Sequence, residues 1–247
     1  MTAEIVIMNK SAVALAADSA ATVPVTNTRR KIFNTANKVF SLSKYAPVGI
    51  MISGGASVMG VPWEIIIKTF REKLKIEKFD TIDHYCDNFF AELNDFPFES
   101  EAEKQHISQI AFSVYSYLRQ RLDSWIKNQR NQEINDTFQT EKLGYLQSQI
   151  EEASLFFAQQ SEDKGILDKN ALIEIHDKYC DVLDQVIERF FDEYSLSEES
   201  QTKLKLRDIA IHAANINPKN INIPMPSSGI VIAGFGEKEY FPRCRSF

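Results

Sequence analysis

Residues 1–19 read MTAEIVIMNKSAVALAADS, and the reading of this stretch decides the fold. Ile5-Val6-Ile7-Met8 is a short run of strand formers, and Ala12 to Ala17 is a second. Asn9-Lys10-Ser11 between them has turn composition, so the spacing predicts a β-hairpin. Asp18 ends the second run, where a hairpin brings it back beside the start of the first. Thr2 directly follows Met1. Methionine aminopeptidases remove Met when the next residue is small, so Thr2 is expected to become the mature N-terminus.

A mature N-terminal Thr carries a hydroxyl nucleophile and an amine base on one residue. The amine has a reference pKa of about 7.7–8.0, which leaves a useful neutral fraction near neutral pH. The chemistry also needs a cation to depress that pKa, a carboxylate to orient the cation, and backbone N–H groups for an oxyanion.

Further along the chain, residues 19–36 hold Pro24 and the triplet Arg29-Arg30-Lys31 and read as a long loop or irregular strand. Asn37 to Leu42 and Pro47 to Ile52 are the next strand candidates, the latter ending on Ser53-Gly54-Gly55. Pro62 opens a helix whose apolar stripe is Trp63, Ile66, Ile67, Phe70 and Leu74. Residues 76–216 are almost wholly helical in period, with a strong stripe at Leu172, Ile175, Tyr179, Val182, Val186 and Phe190. Asn215 to Ser228 contains three prolines and reads as a connector. Gly229 to Phe235 is a buried strand, and Tyr240-Phe241 starts another. The pattern divides the chain into a sheet-forming part at 1–75, a helical insertion at 76–224 and a short return at 225–247. So short a return is expected to leave a truncated sheet with open edges.

Bulk properties narrow the function. The chain has 247 residues and a net charge of −6, which argues against a general nucleic-acid binder or a polybasic membrane surface. No apolar run is long enough to predict a membrane span. Glu4 stands where a signal peptide would be basic. Cys86, Cys180 and Cys244 are few, odd in number and widely spaced, so neither a disulfide framework nor a zinc ribbon is implied. A reducing, cytoplasmic setting is expected, with no cofactor.

Thr2, Ala16-Ala17-Asp18-Ser19, Asn37-Lys38-Val39 and Ser53-Gly54-Gly55-Ala56 together resemble the β-subunits of the proteasome and their simpler bacterial relatives. These are N-terminal-nucleophile (Ntn) hydrolases. The resemblance covers residues 2–75 and 228–241. It implies an α+β fold, part of an αββα Ntn sandwich interrupted by the helical insertion. It implies a threonine-type peptidase or amidase with Thr2 as nucleophile. Asp18 and Lys38 would tune that nucleophile, and Gly54 would supply the oxyanion N–H. It also implies a homo-oligomeric ring acting on peptide or protein substrates, with an ATP-dependent unfoldase as a candidate partner. Three departures stand out. Ala20 replaces a common Arg. The interval from Asp18 to Lys38 is long, which leaves Lys31 as a rival. The family's second half, with its supporting Ser/Asp pair, is absent.

Simpler readings stand beside these. Asp18 caps a turn, Lys38 is a solvated strand residue, or Gly54-Gly55 is only a tight turn. Gly55 and Gly60 have phosphate-loop spacing, but Val61-Pro62 replaces the necessary Lys and hydroxyl residue. His176 and Cys180 are four apart on a helix but have no second ligand pair, so packing roles are expected. The functional alternative is a non-catalytic or truncated proteasome-like subunit whose helical insertion is an interaction module.

Overall fold

The computed structural model describes residues 3–19, 21–24, 30–33, 37–129, 136–165, 167–191, 200–217, 221, 223, 225 and 227–247. The strands that open the chain are β1 (Glu4–Met8), β2 (Val13–Ala17), β3 (Ala21–Pro24), β4 (Arg30–Phe33), β5 (Val39–Ser41), β6 (Val48–Gly54), β7 (Ser57–Val58) and β8 (Val61–Pro62). Among the described residues six helices follow: α1 (Trp63–Leu74), α2 (Ile82–Asn94), α3 (Ser100–Asn128), α4 (Asp136–Lys164), α5 (Lys169–Phe191) and α6 (Ser200–Ala214). The chain then returns to strand in β9 (Ser228–Gly234) and β10 (Arg243–Ser246). The architecture is α+β. It divides into two units, Met1–Glu99 with Ser227–Phe247, and Ser100–Pro226.

In the first unit, β1 and β2 form the antiparallel hairpin that the opening sequence predicts, with Glu4 opposite Ala17. Asn9 makes its turn: the side-chain oxygen accepts from the N–H groups of Ser11 and Ala12, at 2.8 and 2.9 Å. A short polar side chain that replaces backbone partners in this way is a strong turn former. Within 19–36, read as a long loop or irregular strand, β3 and β4 pair as a second antiparallel ladder. Thr22, Val23 and Ile32 are β-branched and favour extended backbone. Pro24 falls at the end of its strand, where a missing N–H does least harm to a ladder.

The main sheet has the order β10-β9-β6-β5, all antiparallel. Strand alternation divides β6 and β9 between two faces. Val48, Ile50, Ile52, Ile230 and Ile232 share a core with α1 and α2. The helix stripe Trp63, Ile66, Ile67, Phe70 and Leu74 is buried, as its spacing predicts. Each such side chain contributes about 1.5–3 kcal/mol on full burial. The opposite face meets the hairpin: a Cβ built on Gly49 would lie 2.7 Å from Cδ1 of Leu15. The layers of this unit are therefore helices, sheet and hairpin.

Helix α2 belongs to this unit, which moves the first boundary from residue 75 to Glu99. Its buried face, Ile82, Tyr85, Cys86 and Phe89, joins the sheet core. The β9–β10 segment fixes its start. Glu239 accepts from the N–H groups of Ile82 and Gly236, at 3.0 and 2.8 Å. Arg245 holds Asp83 through two bonds of 2.5 and 2.9 Å.

The second unit is helical and has its own core, built from α3 to α6 and the segment after them. Tyr115 donates to the Leu206 carbonyl at 2.9 Å, and Arg207 grips Asp184 at 2.7 and 2.5 Å. Asn215 is buried, accepting from Leu167 N–H at 2.7 Å and donating to Ser161 Oγ at 2.9 Å. On α5 the fully buried residues are Tyr179, Leu183, Ile187, Phe190 and Phe191. Val182 and Val186 lie at the edge of that face. Contact with α3 on one side and α6 on the other widens the buried arc beyond the single predicted stripe.

Candidate active site

The last rung of the β1–β2 hairpin sets the geometry. Asp18 N–H donates to the Ala3 carbonyl at 3.0 Å, so the residue after β2 is locked to the residue before β1. Thr2 lies outside the described residues, one peptide bond before Ala3. The Asp18 carboxylate receives Lys38 Nζ at 2.5 Å. The Lys38 side chain is 12% exposed and that of Asp18 is 33% exposed, so this is a partly sheltered pair rather than a solvated one. The hydrogen bond from Lys38 is the largest influence on Asp18 and holds its carboxyl below the usual carboxylate range. Partial burial opposes that shift, while the Lys38 charge and a backbone contact from Ala3 reinforce it.

Lys38 is fixed from the other side as well. Its carbonyl accepts from Ile52 N–H at 2.8 Å, continuing the β5–β6 ladder by one residue. Of the two rival lysines, Lys38 is therefore the one paired with Asp18. Lys31 lies in β4, opposite Val23.

Gly54 closes β6 with φ at +73°, a left-handed conformation that favours glycine. A Cβ there would sit 2.5 Å from the Ser227 carbonyl oxygen. Gly55 N–H bonds that same oxygen at 2.9 Å, on the β9 side. By the alternation of an antiparallel ladder, Gly54 N–H turns the other way, as Ile52 N–H does toward Lys38. Gly54 lies two residues beyond Ile52, about 7 Å along an extended strand. Asp18 and Lys38 are thus in contact, and Gly54 presents its N–H toward the side of the sheet that Lys38 occupies.

Two further residues at this end of the unit have no role in the motif pattern. Ser228 Oγ accepts from Trp63 Nε1 at 3.0 Å and donates to the Gly55 carbonyl at 3.2 Å, which pins the loop after Gly54. Glu4 has one carboxylate oxygen, Oε1, that is buried without a hydrogen-bond partner. Its sole sequence signal is that it is the one charged residue in β1.

Elsewhere, His176 Nδ1 lies 3.3 Å from Asp177, and Cys180 contacts the Asp177 carbonyl. Among the described residues no group of His, Cys, Asp and Glu has the arrangement of a metal site. A cavity of about 330 Å³ between α3 and α5 is lined by Ser108, Gln109, Phe112, Ser113, Val186 and Arg189. It holds no nucleophile–base pair. No helix among the described residues is long and apolar enough to cross a membrane. Comparison with protein-family models, with curated proteins and with solved structures finds no match.

Proposed function

We propose that this chain is a threonine-type peptidase or amidase of the proteasome-like Ntn class, with processed Thr2 as nucleophile. The observation that carries the reading is the 2.5 Å Asp18–Lys38 pair, set on the rung where Ala3 meets Asp18. Ala3, the residue that directly follows Thr2 in the sequence, is hydrogen-bonded to Asp18, and this supports the reading.

In the proposed reaction the Thr2 amine takes the proton of Oγ, directly or through water, and Oγ bonds to the substrate carbonyl carbon. The carbonyl π pair moves onto oxygen, and Gly54 N–H donates to the resulting oxyanion. Collapse expels the amine of the scissile bond, which leaves with the proton held by the Thr2 ammonium. Water then adds to the ester, and expulsion of Oγ restores the hydroxyl. Lys38 stabilises the developing alkoxide and disfavours the ammonium form, which keeps the base neutral near physiological pH. Asp18 orients Lys38. We further propose a homo-oligomeric ring in the cytoplasm that acts on peptide or protein substrates, with an ATP-dependent unfoldase as its partner. A β-lactone that acylates Thr2 of the wild type but leaves Thr2→Ala unmodified supports the reading.

A second reading is a non-catalytic subunit whose helical unit binds other proteins. It is favoured by the separate core of that unit and by its exposed Phe112, Leu155, Phe156, Ile173 and Leu204. A folded, oligomeric wild type that resists the β-lactone at every pH supports this second reading instead.

A further inference from the structure

The cavity between α3 and α5 lies within the helical unit and takes no part in the proposed reaction. Its volume of about 330 Å³ falls at the small end of the range for ligand pockets, about 300–1,000 Å³. Phe112 and Val186 give it an apolar wall, and Ser108, Gln109, Ser113 and Arg189 give it polar groups. On each helix these residues recur three or four apart, which sets them on one face. The apolar wall is fixed from behind. Phe112 meets Phe190 edge to face at 5.0 Å, and Phe190 packs in turn on the fully buried Tyr115. Phe112 is nevertheless 51% exposed. A large ring is thus held in place with half its surface in water, and a ligand that covers it has little ordering to do first.

The charge of the site has one sign. None of the six described lining residues is acidic. Arg189 is exposed, and among the described residues it makes no ion pair and no hydrogen bond through its side chain. Carboxylates near it on α5 are engaged elsewhere: Glu188 holds Lys203 at 3.3 Å, and Asp184 holds Arg207 at 2.7 Å. Ser108 and Gln109 add a hydroxyl and an amide as further donors. Ser113 is already engaged, since its hydroxyl donates to the Gln109 carbonyl at 2.9 Å. A guanidinium presents paired N–H groups that match the two oxygens of a carboxylate. An apolar wall beside such a cation fits a molecule with an apolar body and one carboxylate. The volume limits that body to a single ring or a short alkyl chain. Both walls are helices, whose interior backbone groups bond within the helix, so a peptide finds no main-chain partners here.

We propose that the α3–α5 cavity binds a small monocarboxylic acid with an aryl or medium-length alkyl body. The ring or chain lies against Phe112 and Val186, and the carboxylate is held by Arg189. Binding makes and breaks no covalent bond. It goes beyond the threonine reading and does not depend on it.

The test titrates the full chain with octanoate or phenylacetate at low millimolar concentration, followed by NMR of backbone amides and of the Val186 methyl groups. Saturable shifts are expected at Ser108, Phe112 and Val186. Octanamide, which lacks the charge that Arg189 bonds, is expected to bind about tenfold or more weakly. Arg189→Gln, a change at an exposed position, lowers octanoate affinity by a similar factor and leaves octanamide binding as it was. Val186→Trp fills the cavity and abolishes binding of both. The absence of saturable shifts with either acid overturns the proposal. So does equal affinity for octanoate and octanamide, or undiminished octanoate binding in Arg189→Gln. A peptide with a C-terminal Phe that shifts these residues where the free acids do not also overturns it, and assigns the cavity to a protein partner. Should Val186→Trp not fold, Arg189→Gln decides alone.

Discussion

Replacing Gly54 by Ala tests the geometry that aims the oxyanion N–H. The substitution is strained in two ways. A side chain at φ +73° meets the left-handed penalty, about 1–2 kcal/mol. The added Cβ would also lie 2.5 Å from the Ser227 carbonyl oxygen, far inside contact distance. That carbonyl is held by Gly55 N–H at 2.9 Å, so it cannot swing aside without losing a ladder bond. Overpacking of this kind costs about 1–3 kcal/mol. The two effects together destabilise the sheet unit by about 2–5 kcal/mol. Gly60 is the matched control. Its φ is +77°, yet a Cβ there meets nothing within 4 Å, so Gly60→Ala carries the backbone penalty alone. Urea unfolding, followed by fluorescence of Trp63 in α1, measures both variants. Gly54→Ala is expected to lose clearly more stability than Gly60→Ala, and Thr2 labelling in the folded fraction falls by about 10²–10³-fold as the N–H shifts. Equal unfolding midpoints for the two variants would refute the steric reasoning.

Further consequences follow from other contacts. Lys38→Met removes the main influence that lowers the Asp18 pKa, so Asp18, titrated by carboxyl-carbon NMR, should return toward about 3.9. Because the folded pKa is depressed, the pair stabilises the protein above the unfolded value of about 3.9, and this contribution disappears as pH falls through the lower folded pKa. Asp18→Asn should therefore flatten the pH dependence of unfolding in that acidic window. Asn215→Ala leaves the Leu167 N–H without its buried acceptor and should cost about 1–3 kcal/mol, read as a lower melting temperature of the helical unit. Gly144 lies exposed within α4 with open space around its Cα, so Gly144→Ala should stabilise that unit by about 1 kcal/mol in the same assay.

The legible parts of the fold were those governed by local rules. Asn9 announced the hairpin through its own side chain, and the stripe of α1 emerged because that helix buries one narrow face against the sheet. Asp18 and Lys38 could be singled out because one ends a strand and the other enters one. Their contact is a long-range fact, and spacing alone left Lys31 open. Helix α2 looked like part of the helical insertion because period identifies a helix but not its partner; Ile82, Tyr85 and Phe89 serve a sheet as readily as a bundle. Pro24 and the basic triplet left the β3–β4 segment between long loop and irregular strand, because the order comes from cross-strand pairing. Glu4 was invisible as a site residue because its interest lies in a missing partner, and burial of a single oxygen cannot be seen in a string of residues.

Treatment of purified, assembled protein with a β-lactone, followed by tandem mass spectrometry of its N-terminal peptide, tests the central claim most directly. The account predicts a peptide that begins at Thr2 and carries the acyl group on that residue, with no adduct in Thr2→Ala. A peptide that still begins with Met1, or a blocked amine in assembled material, would contradict it.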